Sequence, residues 1–310
     1  MNSTAADNRP LLSIIVVFWN GREDAPPFMA ALEACRSRLS FPFEVIAVDN
    51  ASSDGTAEWI EAEASWVHLI RNRENLGFAA GCNAGLRASR GSLLLLLNPD
   101  CEANPEALTD LVNVLRRHRR VGMVACRLLH ADGSSQPNSY DEPGPLSYLL
   151  THSLLSPLYF KVRRWAPSEA GKGLLRVDWL MGACLATRRD VVERIGMMEE
   201  DYFLYSEDTD WCRRARHAGY SVVLSTRTAL QHRQGTSAAK RPDFTFRQVF
   251  RSLLRYSRRH QSTIRRSSLS ATIVADMLLR LPLYCVLGRL ERARSALFVI
   301  RMMVRQDPDC

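Results

Sequence analysis

Five consecutive leucines, Leu93 to Leu97, run straight into Asn98-Pro99-Asp100. The run has the length of a buried strand and is too short to cross a bilayer. In an open parallel sheet, ligands bind just past the carboxyl ends of the strands. A carboxylate at Asp100, on a turn stiffened by Pro99, is therefore placed to hold a metal ion or a charged substrate. The plain alternative is a strand whose Asn-Pro-Asp turns the chain and caps the helix near Pro105.

The pattern around it repeats. Residues 11–18 form an apolar β-rich run ending in Phe-Trp-Asn-Gly, and 43–48 form a second ending on Asp49-Asn50. A short strand is predicted at 67–70 and a further one at 121–129, with helices at 24–39, 56–63, 78–89 and 105–118. Strands alternating with helices over roughly 120 residues predict a doubly wound α/β sheet; the strand order stays open. Past Leu129 the period loosens into a loop over 131–145. Residues 143–160 carry no charge, and Lys161, Arg163 and Arg164 follow at once. This stretch is either a surface loop packed on the core or an apolar lip with a basic edge that touches a membrane. Further on, 177–187 reads as strand-turn-strand around Gly182, 188–195 as a helix, and the segment up to His217 as another. Strands are expected at 220–224 and 229–232.

Charge divides the chain. Residues 240–310 hold 15 Lys or Arg against five Asp or Glu, a net +10, whereas the first 239 carry −2. That sets the expected division: a catalytic domain over 1–239 and a basic, amphipathic helical tail over 240–310. Phe246, Phe250 and Leu253 share one face of the first tail helix, and Arg247, Arg251, Arg255 and Arg258 share another. Residues 269–288 are apolar but interrupted by Asp276, Arg280 and Pro282, and so fail as a full span. The arginine stripe alone would allow nucleic-acid binding. No aromatic platform accompanies it, so no nucleic acid is expected as a partner. None of the eight cysteines forms a C-x-x-C pair, which argues against a structural zinc site or a disulfide framework. MNSTAADNRP has neither a basic n-region nor an apolar core, so no signal peptide is expected. A cytoplasmic chain, peripheral on the inner membrane face, is the expected location.

Three polar clusters end elements: Asp49 to Asp54, Asn98 to Asp100, and Glu207 to Asp210; His232 lies in a fourth loop. Carboxylates with a histidine suit a divalent metal that also binds a diphosphate, because phosphate oxygens and water complete its shell. Each cluster has a plainer reading. Asp49-Asn50 can be a turn, and Ser206 can cap a helix whose first turn favours Glu207, Asp208 and Asp210.

The collinear set Ser13-Ile-Ile-Val-Val-Phe-Trp-Asn20, Val48-Asp-Asn-Ala-Ser-Ser-Asp-Gly-Thr56, Asn75-Leu-Gly-Phe-Ala-Ala-Gly-Cys-Asn83, Leu97-Asn-Pro-Asp100, Gly182 to Arg188 and Tyr205-Ser-Glu-Asp-Thr-Asp-Trp-Cys-Arg213 resembles the family-two glycosyltransferases of the GT-A fold, especially the bacterial rhamnosyltransferase-like branch. The likeness covers roughly residues 11–235. It implies a mixed sheet with a Rossmann-like nucleotide-binding half and an acceptor half, plus the helical appendage. It also implies a nucleotide-diphosphate sugar as donor and a glycan or lipid-linked acceptor, in cell-surface polysaccharide synthesis.

Residue by residue, the resemblance implies that Phe18, Asn20 and Asp49 line the base and ribose pocket. Gly77 and Asn83 would help close the donor site. Asn98 replaces the first Asp of the usual Asp-x-Asp, leaving Asp100 as main ligand of Mg²⁺ or Mn²⁺ and His232 as the second. Asp208 would be the catalytic base, with Glu207 beside it. One base without a second nucleophilic carboxylate implies single displacement and inversion. Like-charge repulsion from Glu207 and Asp210 would raise the pKa of Asp208, and a helix N-terminus would lower it; the sequence leaves the balance open. The reading from another class is a binding or scaffold protein on a decayed fold of this kind.

Overall fold

A computed structural model describes residues 9–154, 156–157, 173–233 and 242–309. Strands β1 (Leu12–Phe18), β2 (Phe43–Asp49), β3 (His68–Arg71) and β4 (Leu93–Leu97) alternate with helices α1 (Ala25–Arg36), α2 (Thr56–Glu63) and α3 (Phe78–Ala88). After β4 come β5 (Cys101–Glu102), α4 (Pro105–Arg117), β6 (Val121–Leu129), β7 (Ser135–Gln136), β8 (Ser139–Tyr140) and α5 (Pro145–Thr151). Then follow β9 (Leu174–Arg176), β10 (Trp179–Leu180), β11 (Cys184–Arg188), α6 (Arg189–Ile195), α7 (Glu207–His217) and β12 (Ser221–His232). Helices α8 (Pro242–His260), α9 (Thr263–Val286) and α10 (Leu290–Arg305) finish the chain.

The main sheet runs β3-β2-β1-β4-β11-β6-β12-β5. Strands β3, β2, β1 and β4 are mutually parallel, and β11 inserts antiparallel between β4 and β6. This is the expected mixed α/β sheet. Period-two alternation builds its two faces. Leu12, Ile14, Val16, Phe18, Leu93, Leu95 and Leu97 enter the core under α1 and α4, whereas Ile15, Leu94 and Leu96 enter the core under α3 and α7. The leucine run is buried throughout because both faces are covered.

Three expectations change. The strands foreseen at 220–224 and 229–232 are one strand, β12, with a register shift between Ser225 and Ala229 where the pairing bulges. The uncharged stretch after Pro143 begins as α5, whose Tyr148 is buried against the tail helices while Leu146 stays exposed. Its basic edge at 161–164 lies outside the described residues, as does the 239/240 boundary. Finally, Asp276, Arg280 and Pro282 do not interrupt α9. Asp276 and Arg280 pair along the helix at 2.8 Å, and Asp276 accepts from Tyr148 Oη at 2.7 Å, so both charges are satisfied on the face turned to α5. Pro282 sits among exposed residues near the end. Among the described residues this is one helix long and apolar enough to cross a membrane by length and composition, and it stands on the protein's surface, with 28% of its apolar window buried.

The tail helices enclose a third apolar cluster, including Phe250, Leu254, Ile273, Met277, Val299 and Met302, which α5 completes with Tyr148.

Candidate active site

The polar clusters gather at the carboxyl ends of β1, β2 and β4. Asn20 adopts φ 51°, a left-handed conformation that Asn tolerates. Its Oδ1 accepts from Ser53 N–H (2.8 Å), and its own N–H donates to Ser52 Oγ (2.8 Å). Asp49 accepts from Ser52 N–H through Oδ2 (3.0 Å), while its buried Oδ1 has no hydrogen-bond partner. That oxygen is free to accept a ligand hydroxyl. Asn50 Nδ2 donates to Gly77 O (2.8 Å), tying this edge to the start of α3. Gly77 has φ +88°, and a Cβ there would fall 2.3 Å from Phe203 O. Only glycine permits that close approach.

Two expected donor residues are placed elsewhere. Phe18 is fully buried and meets Phe28 edge-on at 6.1 Å. Strand parity sends it to the core with Val16, so it does not line a base pocket. Its neighbour Trp19 is the aromatic that lines a cavity of about 560 Å³, together with Asn75, Phe203, Gln248 and Arg251. Asn83 is likewise buried. Its Nδ2 donates to Met198 O and Glu200 Oε1 (2.8 Å each), and its Oδ1 accepts from Met198 N–H (3.0 Å). Those bonds fix α3 to the 198–200 loop and leave the side chain nothing to offer a donor.

Asn98 opens a β-turn, with Cys101 N–H donating to Asn98 O (3.1 Å) and Pro99 in the second position. The turn delivers Asp100 to the strand edge. Strand β5 then pairs with β12 in the register His232↔Cys101. That register, from a strand 130 residues later, sets His232 Nε2 3.1 Å from Asp100 Oδ1. Both residues are buried, and Asp100 Oδ1 lacks a hydrogen-bond partner. The other imidazole nitrogen, Nδ1, lies 3.1 Å from Gln136 Oε1. Gln136 thus holds the ring from its far side, and Nε2 and the Asp100 carboxylate present a nitrogen and an oxygen that one divalent cation could bind together. Cys101 Sγ completes a group of three ligand atoms within 4.8 Å of one another. Burial pushes its thiol well up, and it donates to Ala183 O at 3.4 Å. The oxygen and nitrogen donors therefore carry the fit, and they suit Mg²⁺ or Mn²⁺ with phosphate and water completing the shell.

The second acidic pair lies across a shared turn. Asn98 N–H donates to Ala183 O (2.9 Å), and Gly182 N–H donates to Asp208 Oδ2 (2.9 Å). Ser206 stands at the N-cap position of α7 but makes no side-chain cap. It and Tyr205 both sit at positive φ (68° and 69°), strain of the kind found at functional sites. Burial raises the pKa of both Glu207 and Asp208 and outweighs the two effects weighed from sequence. Their environments then separate them. Asp208 also accepts from Thr209 N–H (2.7 Å), whereas Glu207 Oε2 has no partner and feels the charge of Asp208. Of the two, Asp208 has its carboxylate oriented by backbone donors at the edge of a cavity, and Glu207 does not. Asp210 differs: burial would raise it, but bonds from His260 and Arg214 hold it below the usual carboxylate range. A mostly apolar cavity of about 340 Å³ reaches Asp208, walled by Tyr148, Trp179, Tyr205, Val249 and Leu253.

Gln136 and the left-handed backbone at Tyr205-Ser206 were not legible in the sequence, and Trp19 entered only as part of the Phe-Trp-Asn turn. Parity in β1 could have exchanged Trp19 for Phe18. Gln136 leaves no local trace, because its partner is a hundred residues away.

Comparison with known proteins bears on this arrangement. The model of a family described as Glycosyl transferase family 2 matches residues 13–196. The low-salt glycan biosynthesis hexosyltransferase Agl10 of Haloferax volcanii is 29% identical over 217 residues, spanning 68% of this chain and 63% of its own length. An N-acetylglucosaminyl-diphospho-decaprenol L-rhamnosyltransferase of Mycobacterium tuberculosis is 26% identical over 252 residues, spanning 75% of this chain and 79% of its own. Among solved structures, the mannosyltransferase PcManGT of Pyrobaculum calidifontis, in complex with GDP-Man and Mn²⁺, aligns with a TM-score of 0.56 at 16% identity. The alignment covers 97% of this chain and 86% of that one. S. aureus TarS aligns at 0.52 and 16%, over 85% and 43%. At those identities the likeness speaks to the fold, which is of the GT-A type.

Proposed function

Because this chain belongs to glycosyl transferase family 2, we propose that it moves a sugar, with inversion, from a nucleotide-diphosphate donor to a hydroxyl of a glycan or lipid-linked acceptor. The observation that carries this reading is the pair of buried acidic centres flanking the Gly182-Ala183 turn. One faces an imidazole, and the other opens on an apolar cavity. Asp49 Oδ1 accepts a donor hydroxyl, with Asn20 fixing the adjacent loop, and Trp19 takes the aromatic role expected of Phe18. Asp100 and His232 hold a divalent cation, with Gln136 fixing the imidazole. Bound there, the cation supplies Lewis-acid neutralisation of the departing diphosphate. Asp208 accepts the acceptor hydroxyl's proton as that oxygen attacks C1. Of the acidic pair Asp208 is the one that lines the cavity, so a single carboxylate faces the acceptor and inversion follows.

The relatives' names support rhamnose or another hexose as the proposed donor sugar and a polyprenyl-diphosphate-linked glycan as the proposed acceptor. An apolar cavity beside the base suits an acceptor that is part lipid. The exposed face formed by Leu279, Leu283, Val286, Leu287 and Leu290, with Arg289 among them and a net +10 across the tail, suits the surface of an anionic bilayer.

The test is a thermal-shift screen of nucleotide sugars with Mn²⁺ or Mg²⁺, followed by transfer assays on polyprenyl-linked acceptors. A favoured nucleotide raises Tm in step with its concentration over Kd. Transfer that persists in excess chelator would remove the metal from this reading. Donor binding without transfer to any acceptor would favour the decayed scaffold.

A further inference from the structure

The start of α7 is strained, since Tyr205 and Ser206 lie consecutively in the left-handed region and no side chain caps the helix. Something beyond the local chain has to hold it, and helix α8 supplies the contacts. Ser252 Oγ donates to Leu204 O at 2.7 Å. Arg255 donates to Asp201 O, and Arg259 pairs with Glu199 at 2.8 Å. At the end of α8, His260 Nε2 meets Asp210 Oδ1, while Asp210 Oδ2 takes Arg214 Nε at 2.6 Å. Asp210 is 1% exposed, so its carboxylate depends on those two donors. The His260 carbonyl in turn accepts from Arg213 Nη2 at 3.1 Å, so two neighbouring residues on one face of α7 hold the end of α8.

We propose that His260 is a positioning residue for the transfer reaction: from the tail, it fixes the first turn of α7 through Asp210 and so aims Asp208 into the cavity. Asp210 lies one residue beyond Thr209, whose N–H is bonded to Asp208. A shift of the Asp210 carboxylate therefore moves the Asp208 pair directly. Loss of the His260 donor leaves a buried carboxylate one partner short, and the strained residues before it are then free to relax. The tail is thereby part of the catalytic unit. The proposal rests on Asp208 being the base, and its test has a readout that does not.

The experiment compares the full chain with His260→Ala, His260→Gln and a surface control, Arg294→Ala, whose exposed side chain pairs with Glu291. Each is measured for kcat and donor KM at saturating acceptor, for nucleotide affinity, and for amide hydrogen exchange. His260→Ala should lower kcat on the order of 100-fold, the scale of a misplaced reacting group. Nucleotide affinity should stay unchanged, and faster exchange should be confined to residues 199–210. His260→Gln presents an amide N–H in place of Nε2 and should recover most of kcat; Arg294→Ala should match the parent. Unchanged kcat in His260→Ala would overturn the proposal. So would equal loss in both His260 variants with exchange rising along the whole chain. If His260→Ala does not fold, Ser252→Ala removes one bond to Leu204 and should give the same pattern at smaller scale; no change in it overturns the proposal too. A parent chain that transfers to no acceptor would defeat the reading of Asp208 alone. The exchange pattern would still decide whether His260 holds the segment.

Discussion

The two acidic centres of the proposed site are held in opposite ways. The Asp100–His232 centre is fixed by the sheet itself. A proline turn and the β5–β12 register place both proposed ligands, and Gln136 of β7 holds the ring. The Glu207–Asp208 centre begins a helix on strained backbone, with no cap, against a cavity partly walled by the tail. Its order is borrowed from α8. The difference suits the proposed chemistry. A diphosphate and cation need a rigid cradle, whereas the acceptor side must tell one hydroxyl-bearing molecule from another, and a helix contributed by the tail is a readier place to encode that choice.

That contrast can be broken first at Asp208. Asp208→Asn keeps the shape and removes the base, so transfer should fall by about 10²- to 10⁴-fold. Nucleotide affinity, measured by calorimetry, should stay where it was. Near-normal turnover would move the base to Glu207 and merge the two roles kept apart here.

On the cradle side the sharper probe is Gln136→Ala, which leaves Asp100 and His232 in place and removes only the partner of the His232 ring. Removing the partner that orients a metal-bound imidazole costs about 10- to 100-fold in metal affinity. A titration with Mn²⁺ should show that loss while kcat at saturating metal recovers. A kcat that stays low at any metal concentration would mean that Gln136 serves something other than the imidazole.

The tail's second proposed task is tested away from the site. Leu283→Asp and Leu287→Asp each remove an exposed apolar side chain whose burial is worth about 1.5–3 kcal/mol. Each should weaken co-sedimentation with anionic vesicles by roughly tenfold or more, without touching transfer to a short soluble acceptor. Equal binding by the parent and both variants would free that face from the membrane role.

The smallest effect is in pH. The folded pKa of both Glu207 and Asp208 lies above the usual 4.5 and 3.8. Their contribution to stability is present below those unfolded values and lost as pH rises through the folded ones. Between about pH 5 and neutrality, acidification should therefore raise Tm slightly while kcat falls, because the base takes up its proton. Glu207→Gln removes one titrating group and should flatten the Tm trend. An unchanged slope in that variant would place the titrating group elsewhere.

Much of this was legible in the residues. Alternating strands and helices gave the doubly wound sheet, and the polar turns after β1, β2 and β4 marked the edge where the site lies. These signals are short-range: period two or 3.6, and turn chemistry written in three or four neighbouring residues. Parity was present too, and followed strictly it assigns Phe18 to the core beside Val16 and frees Trp19. The tertiary structure alone decided the meetings across distance. The register of β12 on β5 brought His232 to Asp100, Gln136 found the far side of the ring, and Asn83 was spent on the 198–200 loop. His260 reached Asp210 from a helix that charge pattern had set apart as an appendage. Those contacts depend on strand register and on how helices pack, and neither leaves a mark within a few residues of the side chains involved. Burial did the same for the acidic pair: charges and a helix terminus could be counted in the sequence, but the desolvation that outweighed both exists only once the chain is folded.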